Sequence, residues 1–205
     1  MTKYPELEEP IRAELFGIER LEQHAESLAT AQIITGDLRR GRLLTPRVLE
    51  NGRVLVKSYR TIARAIREEK TITPAAEWLV DNFHIVDEQL REIIDDLPPG
   101  YYRQLPKLAS GHLENYPRVF AVAWAFVGHT DSRFDPAMLR RFVADYHRVE
   151  PLTIGELWAV AISLRVVLVE NLRRLAERIV HSRAARLEAD ELADAQRAVF
   201  DPVDL

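Results

Sequence analysis

Apolar residues recur along most of this chain at intervals of three and four, the spacing that lines one face of an α-helix. Ile11, Leu15, Ile18, Leu21, Ala25 and Leu28 form the first such stripe, and "ERLEQHAE" supplies its wetter side. The period breaks at "TGDLRRGRLL", where two glycines fall. Thr45-Pro46 predicts the opening of a second helix, because proline at the first helical position gives up an N–H that has no intrahelical acceptor. Its stripe is Leu55, Tyr59, Ile62 and Ile66, with Asn51-Gly52 as an alternative start. Thr73-Pro74 repeats the opening for a third helix, whose inward face is Leu79, Phe83, Val86, Leu90 and Ile93 and which "DLPPG" stops.

Past a connector, "DDLPPGYYRQLPKL" from Asp95 to Leu108, Tyr116-Pro117 opens "RVFAVAWAFVGH". That run is apolar on nearly every side and alanine-rich, which favours a central helix over a buried strand, although periodicity alone fits both. Asp135-Pro136 starts a fifth helix with Leu139, Phe142, Val143 and Tyr146 inward. Thr153-Ile154-Gly155-Glu156 reads as a capping box, the threonine hydroxyl accepting from the Glu156 N–H while the carboxylate reaches back. The longest helix starts there and runs to about Val180, and a charged tail, "HSRAARLEADELADAQ", continues it or frays. The pattern predicts an all-α protein: one helical domain over residues 1–205, a bundle of about six to seven helices without significant sheet, with a flexible N-terminus over 1–9 and a charged helical tail over 181–205.

Composition agrees and narrows the function. A chain of 205 residues, 47% hydrophobic and 29% charged, buries a sizeable core and is not a disordered sequence. Its 28 basic residues against 32 acidic ones offer no electrostatic grip on a nucleic acid. The absence of cysteine excludes disulfides, zinc–thiolate sites and thiol catalysis, and suits the cytoplasm. "MTKYPELEEP" lacks the apolar core of a signal peptide. "LWAVAISLRVVLV", Leu157 to Val169, is shorter than the roughly 20 apolar residues of a membrane span and contains Arg165, so it reads as a buried core helix.

Two clusters invite a chemical reading. Glu77, Asp81, His84 and Glu88 stack along one ridge of the third helix, and Asp81-x-x-His84 resembles half of a carboxylate-bridged di-metal site, giving a metal-dependent helical enzyme as a weaker alternative. No second such pair occurs, and the ridge lies opposite the buried stripe, as a solvated face would. In "GHTDSRFDP", His129, Asp131, Arg133 and Asp135 could serve as metal ligands or an acid–base pair; the simpler account has Asp135 capping a helix, Asp131 turning the chain and Arg133 pairing with one of them. His24, His112, His147 and His181 have no metal-ligand spacing. No nucleophile elbow, phosphate loop, dinucleotide turn or H-E-x-x-H is present, so no catalytic and no metal-binding residue is assigned.

The connector holds the remaining candidates. Leu97 to Gly100 force an exit from the helix, and Tyr101, Tyr102, Arg103 and Lys107 set flat faces and hydrogen-bond donors on a short stiff segment. Aromatic planes beside donors suit a sugar or a partner surface, and Trp124 and Trp158 are further candidate contacts. In the alternative, the tyrosines pack back on the bundle with wet hydroxyls.

Four stretches, "IRAELFGIERLEQHAESLA", "ITPAAEWLVDNFHIVDEQLREIIDDLPPGYYRQLPKLASG", "YPRVFAVAWAFVGHTDSRFDP" and "PLTIGELWAVAISLRVVLVENLRRLAERI", resemble the N-terminal region of bacterial cyclic β-1,2-glucan synthases. The resemblance implies a helical module on the cytoplasmic side of the bacterial inner membrane, attached to a membrane-embedded glycosyltransferase domain that uses UDP-glucose and a divalent metal, and to further glycoside-active domains. It carries no catalytic residue and no cofactor onto this chain. The expected role is noncatalytic scaffolding or docking to the transferase domain of the same polypeptide, with binding of β-1,2-glucan as the alternative; membrane association would come only through the parent protein.

Overall fold

Helix forms nearly everywhere that the three-and-four spacing holds. A computed structural model describes residues 7–35 and 41–200. Among them are α1 (Ile18–Ala31), α2 (Leu44–Arg67), α3 (Pro74–Asp81), α4 (Phe83–Asp95), α5 (Pro99–Gln104), α6 (Arg118–His129), α7 (Pro136–Val149) and α8 (Ile154–Phe200). One two-stranded antiparallel sheet, β1 (Ile34–Thr35) with β2 (Lys107–Leu108), pairs Ile34 with Leu108 and Thr35 with Lys107. The protein is all-α apart from that pair. Most of the first ten residues and the end of the expected tail, like the glycine-bearing break at 36–40, fall outside the described residues.

The apolar α6 sits at the centre, with Val119, Phe120, Val122, Ala123 and Phe126 all buried. It packs against α8, which also meets α2, α3 and α4, while α1 covers α7 and the flank of α6. Burial of these stripes is the main stabilising contribution, since helices of this length gain little from propensity alone.

Two boundaries differ from the sequence expectation because another hydrogen bond competes with the helix. Residues 11–17 lie outside any helix: Ile11 N donates to Asn171 Oδ1 (2.7 Å), Ala13 N to Gly128 O (3.0 Å) and Phe16 N to His129 O (3.1 Å). Leu15, expected inward, is therefore 64% exposed, although Ile11 remains buried. The third helix divides at Asn82, whose side-chain amide donates to Trp78 O (2.8 Å) and turns the chain. The connector folds as α5 and β2. Beyond residue 180, α8 stays helical to Phe200 and is largely exposed.

The caps before α3, α7 and α8 act as the sequence predicts, whereas α2 begins at Leu44, ahead of the expected Thr45-Pro46 opening, so that Pro46 is its third residue and Leu43 caps it without a side-chain bond. Thr73 Oγ1 accepts from Ala76 N (3.3 Å), and Asp135 Oδ1 accepts from Ala137 N (2.7 Å) and Met138 N (3.2 Å). At Thr153 the capping box closes both ways: Glu156 N donates to Thr153 Oγ1 (3.2 Å) and Thr153 N to Glu156 Oε2 (2.9 Å).

Candidate functional site

The junction of α5, α6 and the first turn of α8 gathers most of the residues that the sequence singles out. Glu156 does more there than cap a helix. Its carboxylate is fully buried and accepts from Arg118 Nε and Nη2, each at 2.7 Å. Arg118 Nη2 also donates to Pro151 O (3.1 Å), and Nη1 to Glu150 (3.2 Å). Burial weakens the guanidinium's hold on its proton, but the Glu156 carboxylate more than offsets this and its pKa is raised. A buried pair satisfied on every side fixes the start of α8 relative to α6.

The connector docks onto that fixed turn. Tyr101 donates its hydroxyl to Gly155 O, and a Cβ at Gly155 would stand 3.5 Å from Leu105 and from Tyr101, an ordinary packing distance, so the ring lies directly against the helix start. Burial, reinforced by the Glu156 charge, raises the Tyr101 pKa. Tyr102 stands edge-on to Tyr101 (centroids 5.2 Å apart) and is buried, as is Lys107, whose Nζ donates to the carbonyls of Arg103 (2.7 Å) and Leu105 (3.0 Å). Arg103 is exposed. Tyr102 and Lys107 thus offer no side-chain surface to an incoming ligand in this conformation.

The two tryptophans have opposite surroundings. Trp124 is half-buried with guanidinium groups on it, Arg174 5.1 Å and Arg47 5.7 Å from the ring centroid, and His112 and Phe120 at its edges. Arg47 is clamped by both oxygens of Glu170, a carboxylate that also accepts from Arg174 (2.8 Å). The partly covered Glu8 pairs with Arg173 and Arg174, and hydrogen bonding to Arg173 lowers its pKa. Trp158, in contrast, is 77% exposed and stands three residues beyond the Gly155 contact. With Ile154 (72% exposed) and Leu157 (40%) it forms an apolar patch on the first turn of α8. The spacing of "TIGELW" carried this signal, since residues 154, 157 and 158 share the side of the helix turned away from Glu156. The Arg118–Glu156 and Arg47–Glu170 pairs had no local signal, because their partners are distant in sequence.

The other clusters disperse. Asp131 pairs with Arg12 (2.7 Å) and not with Arg133, which is exposed; Asp131 and Ser132 take left-handed backbone angles that turn the chain toward α7. His129 stacks on Phe16 (3.9 Å) and donates Nδ1–H to Glu14 O (2.7 Å). Asp81, His84 and Glu88 lie on an exposed face, where His84 Nδ1 bonds the Asp81 carbonyl (3.2 Å). Among the described residues no group of three His, Asp or Glu side chains is placed to hold a metal ion, and no helix is long and apolar enough to cross a membrane.

This geometry defines an all-α helical module with internally paired buried charges and an exposed apolar corner. No protein-family model matches the chain. Over 154 residues, 75% of its length, it is 44% identical to the cyclic beta-(1,2)-glucan synthase NdvB of Rhizobium meliloti (strain 1021). The chain is thus similar to a region of a cyclic glucan synthase, and the match spans 5% of that relative's length.

Proposed function

We propose that this chain is a noncatalytic docking module of a cyclic β-1,2-glucan synthase, and that its Ile154, Leu157 and Trp158 corner seats another segment of such a polypeptide. The observation that carries the reading is the exposure of these three apolar side chains on a turn that Arg118–Glu156 and Tyr101–Gly155 hold rigid. A preorganised aromatic anchor loses little entropy on docking, which is what the centre of an interface needs. The occupant is argued from length: the match covers 5% of the relative, so most of that polypeptide lies outside it.

The test replaces the matching region of Rhizobium meliloti NdvB with this chain and assays membranes for cyclic glucan made from UDP-glucose, the donor that the resemblance implies. The graft is expected to support synthesis, and Leu157→Asp with Trp158→Asp to reduce it at least about ten-fold, the effect of losing about 1.4 kcal/mol at an anchor, at unchanged protein level. Undiminished synthesis by the variant would reject docking through this corner.

One observation supports a second reading. Trp158 presents an open ring and Arg103 is exposed, the plane and donor that a glucan chain requires. Titration with linear β-1,2-gluco-oligosaccharides decides it: saturable quenching of tryptophan fluorescence that Trp158→Ala removes would make the corner a glucan contact, and no binding at millimolar sugar would reject that reading.

A further inference from the structure

The far half of α8 carries a second surface, separate from the Trp158 corner. Between the α2–α3 connection, the start of α3 and the α8 stretch from Leu172 to Asp190 lies an open groove of about 1160 Å³. Its floor includes the buried Leu79 and Ala176, and Trp78 (55% exposed), Leu175 (37%) and Leu187 (42%) leave apolar surface open along it. Among its charged residues the basic ones outnumber the acidic four to two, with Arg183 and the exposed Arg186 on α8 itself.

The end of α8 has the opposite character. Residues 189–197 are all exposed, Leu192 to 63%. Ala185, Ala189 and Leu192 follow one another at four and three, a narrow apolar stripe. Over 188–197 the charges are Glu188, Asp190, Glu191 and Asp194 against Arg197 alone, Asp190 also lining the groove. On α8 the groove lining runs from Leu172 to Asp190, and the acidic end continues past it as an arm to Phe200. An acidic helix end with an apolar stripe therefore projects from the same molecule that offers a basic-rimmed apolar groove.

We infer that two copies of this chain form a two-fold symmetric dimer in which the α8 end of each lies antiparallel in the α3–α8 groove of the other. Leu192 meets the apolar floor, and the arm's carboxylates face Arg183 and Arg186. Each copy supplies one arm and one groove, so a single two-fold axis closes both contacts and leaves neither open to chain growth.

Light scattering on the intact chain, eluted from a sizing column at several concentrations, tests this. The expected mass is twice the 23.6 kDa of the chain, falling toward the monomer in the Leu192→Asp variant and as salt is raised. The Trp158→Asp variant should stay dimeric, which separates this interface from the docking corner. Two charge-reversed proteins give the decisive arm: Arg183→Glu with Arg186→Glu, and Glu191→Arg with Asp194→Arg. Each alone should be monomeric with unchanged helical circular dichroism, and their mixture should regain the dimer. A monomeric wild-type chain at about 100 µM, where an interface with micromolar Kd would be largely occupied, or a mixture that fails to re-form the dimer, would overturn the inference.

Discussion

Arg118 and Glu156 tie the first turn of α6 to the first turn of α8 through two 2.7 Å hydrogen bonds between side chains only 2% and 0% exposed. Because Glu156 also closes the Thr153 cap, one carboxylate satisfies a buried cation and two groups of the helix start. Glu156→Ala strips the partner from a buried guanidinium, so unfolding in urea should show a loss of about 3–5 kcal/mol. Arg118→Met with Glu156→Leu removes both charges together and should recover much of that loss. A Glu156→Ala cost below about 1 kcal/mol, the range of an exposed pair, would mean that water reaches this site.

How far the sequence speaks depends on the range of the interaction concerned. The caps at Thr73, Asp135 and Thr153 were legible because donor and acceptor lie within three residues. The stripes of α2, α4 and α7 were legible because a helix repeats its own face. Leu15 was misplaced because the segment around it bonds with Gly128, His129 and Asn171, which no local period reports. Ile66, 39% exposed, lost its inward place to Ala65, a shift that small residues hide from a count of large ones. The connector's composition suggested a surface, and its fold divides those residues: Tyr101 caps a carbonyl of α8, Tyr102 and Lys107 go inside, and Arg103 stays out. Trp124 and Trp158 look alike in sequence, and only the arginines brought over Trp124 by α2 and α8 distinguish them.

His24 stands edge-on to Phe16 (5.5 Å) and to His129 (4.4 Å), where burial first, and then the neighbouring imidazole, lower its pKa. The unfolded chain, with an ordinary histidine pKa of about 6.5, takes up this proton before the folded one does. Stability is therefore greatest above about pH 6.5 and falls as pH drops from there through the lowered folded pKa. His24→Phe keeps the ring and removes the titration, so urea midpoints between about pH 7 and 5 should lose part of their slope relative to the parent chain. An identical slope in the variant would place the acid sensitivity elsewhere.

Gly41 lies against the Lys107 side chain. A Cβ built at Gly41 would lie 1.9 Å from Lys107 Cε and 2.5 Å from its Cδ, while the ammonium is held by the Arg103 and Leu105 carbonyls. Gly41 does not occupy the left-handed region, so its backbone admits alanine and the obstacle is the lysine stem. Elsewhere glycine to alanine at such a position stabilises by about 0.4–1 kcal/mol through the unfolded chain. Here Gly41→Ala must displace a side chain 1% exposed, and it should cost about 1–3 kcal/mol, as overpacking does. The cycle with Lys107→Ala separates the two contributions: on that background the stem is gone, and Gly41→Ala should cost less than about 0.5 kcal/mol or become stabilising. Equal costs on both backgrounds would show that Lys107 moves aside freely, and its burial would then reflect tolerance of the site rather than a requirement for glycine opposite it.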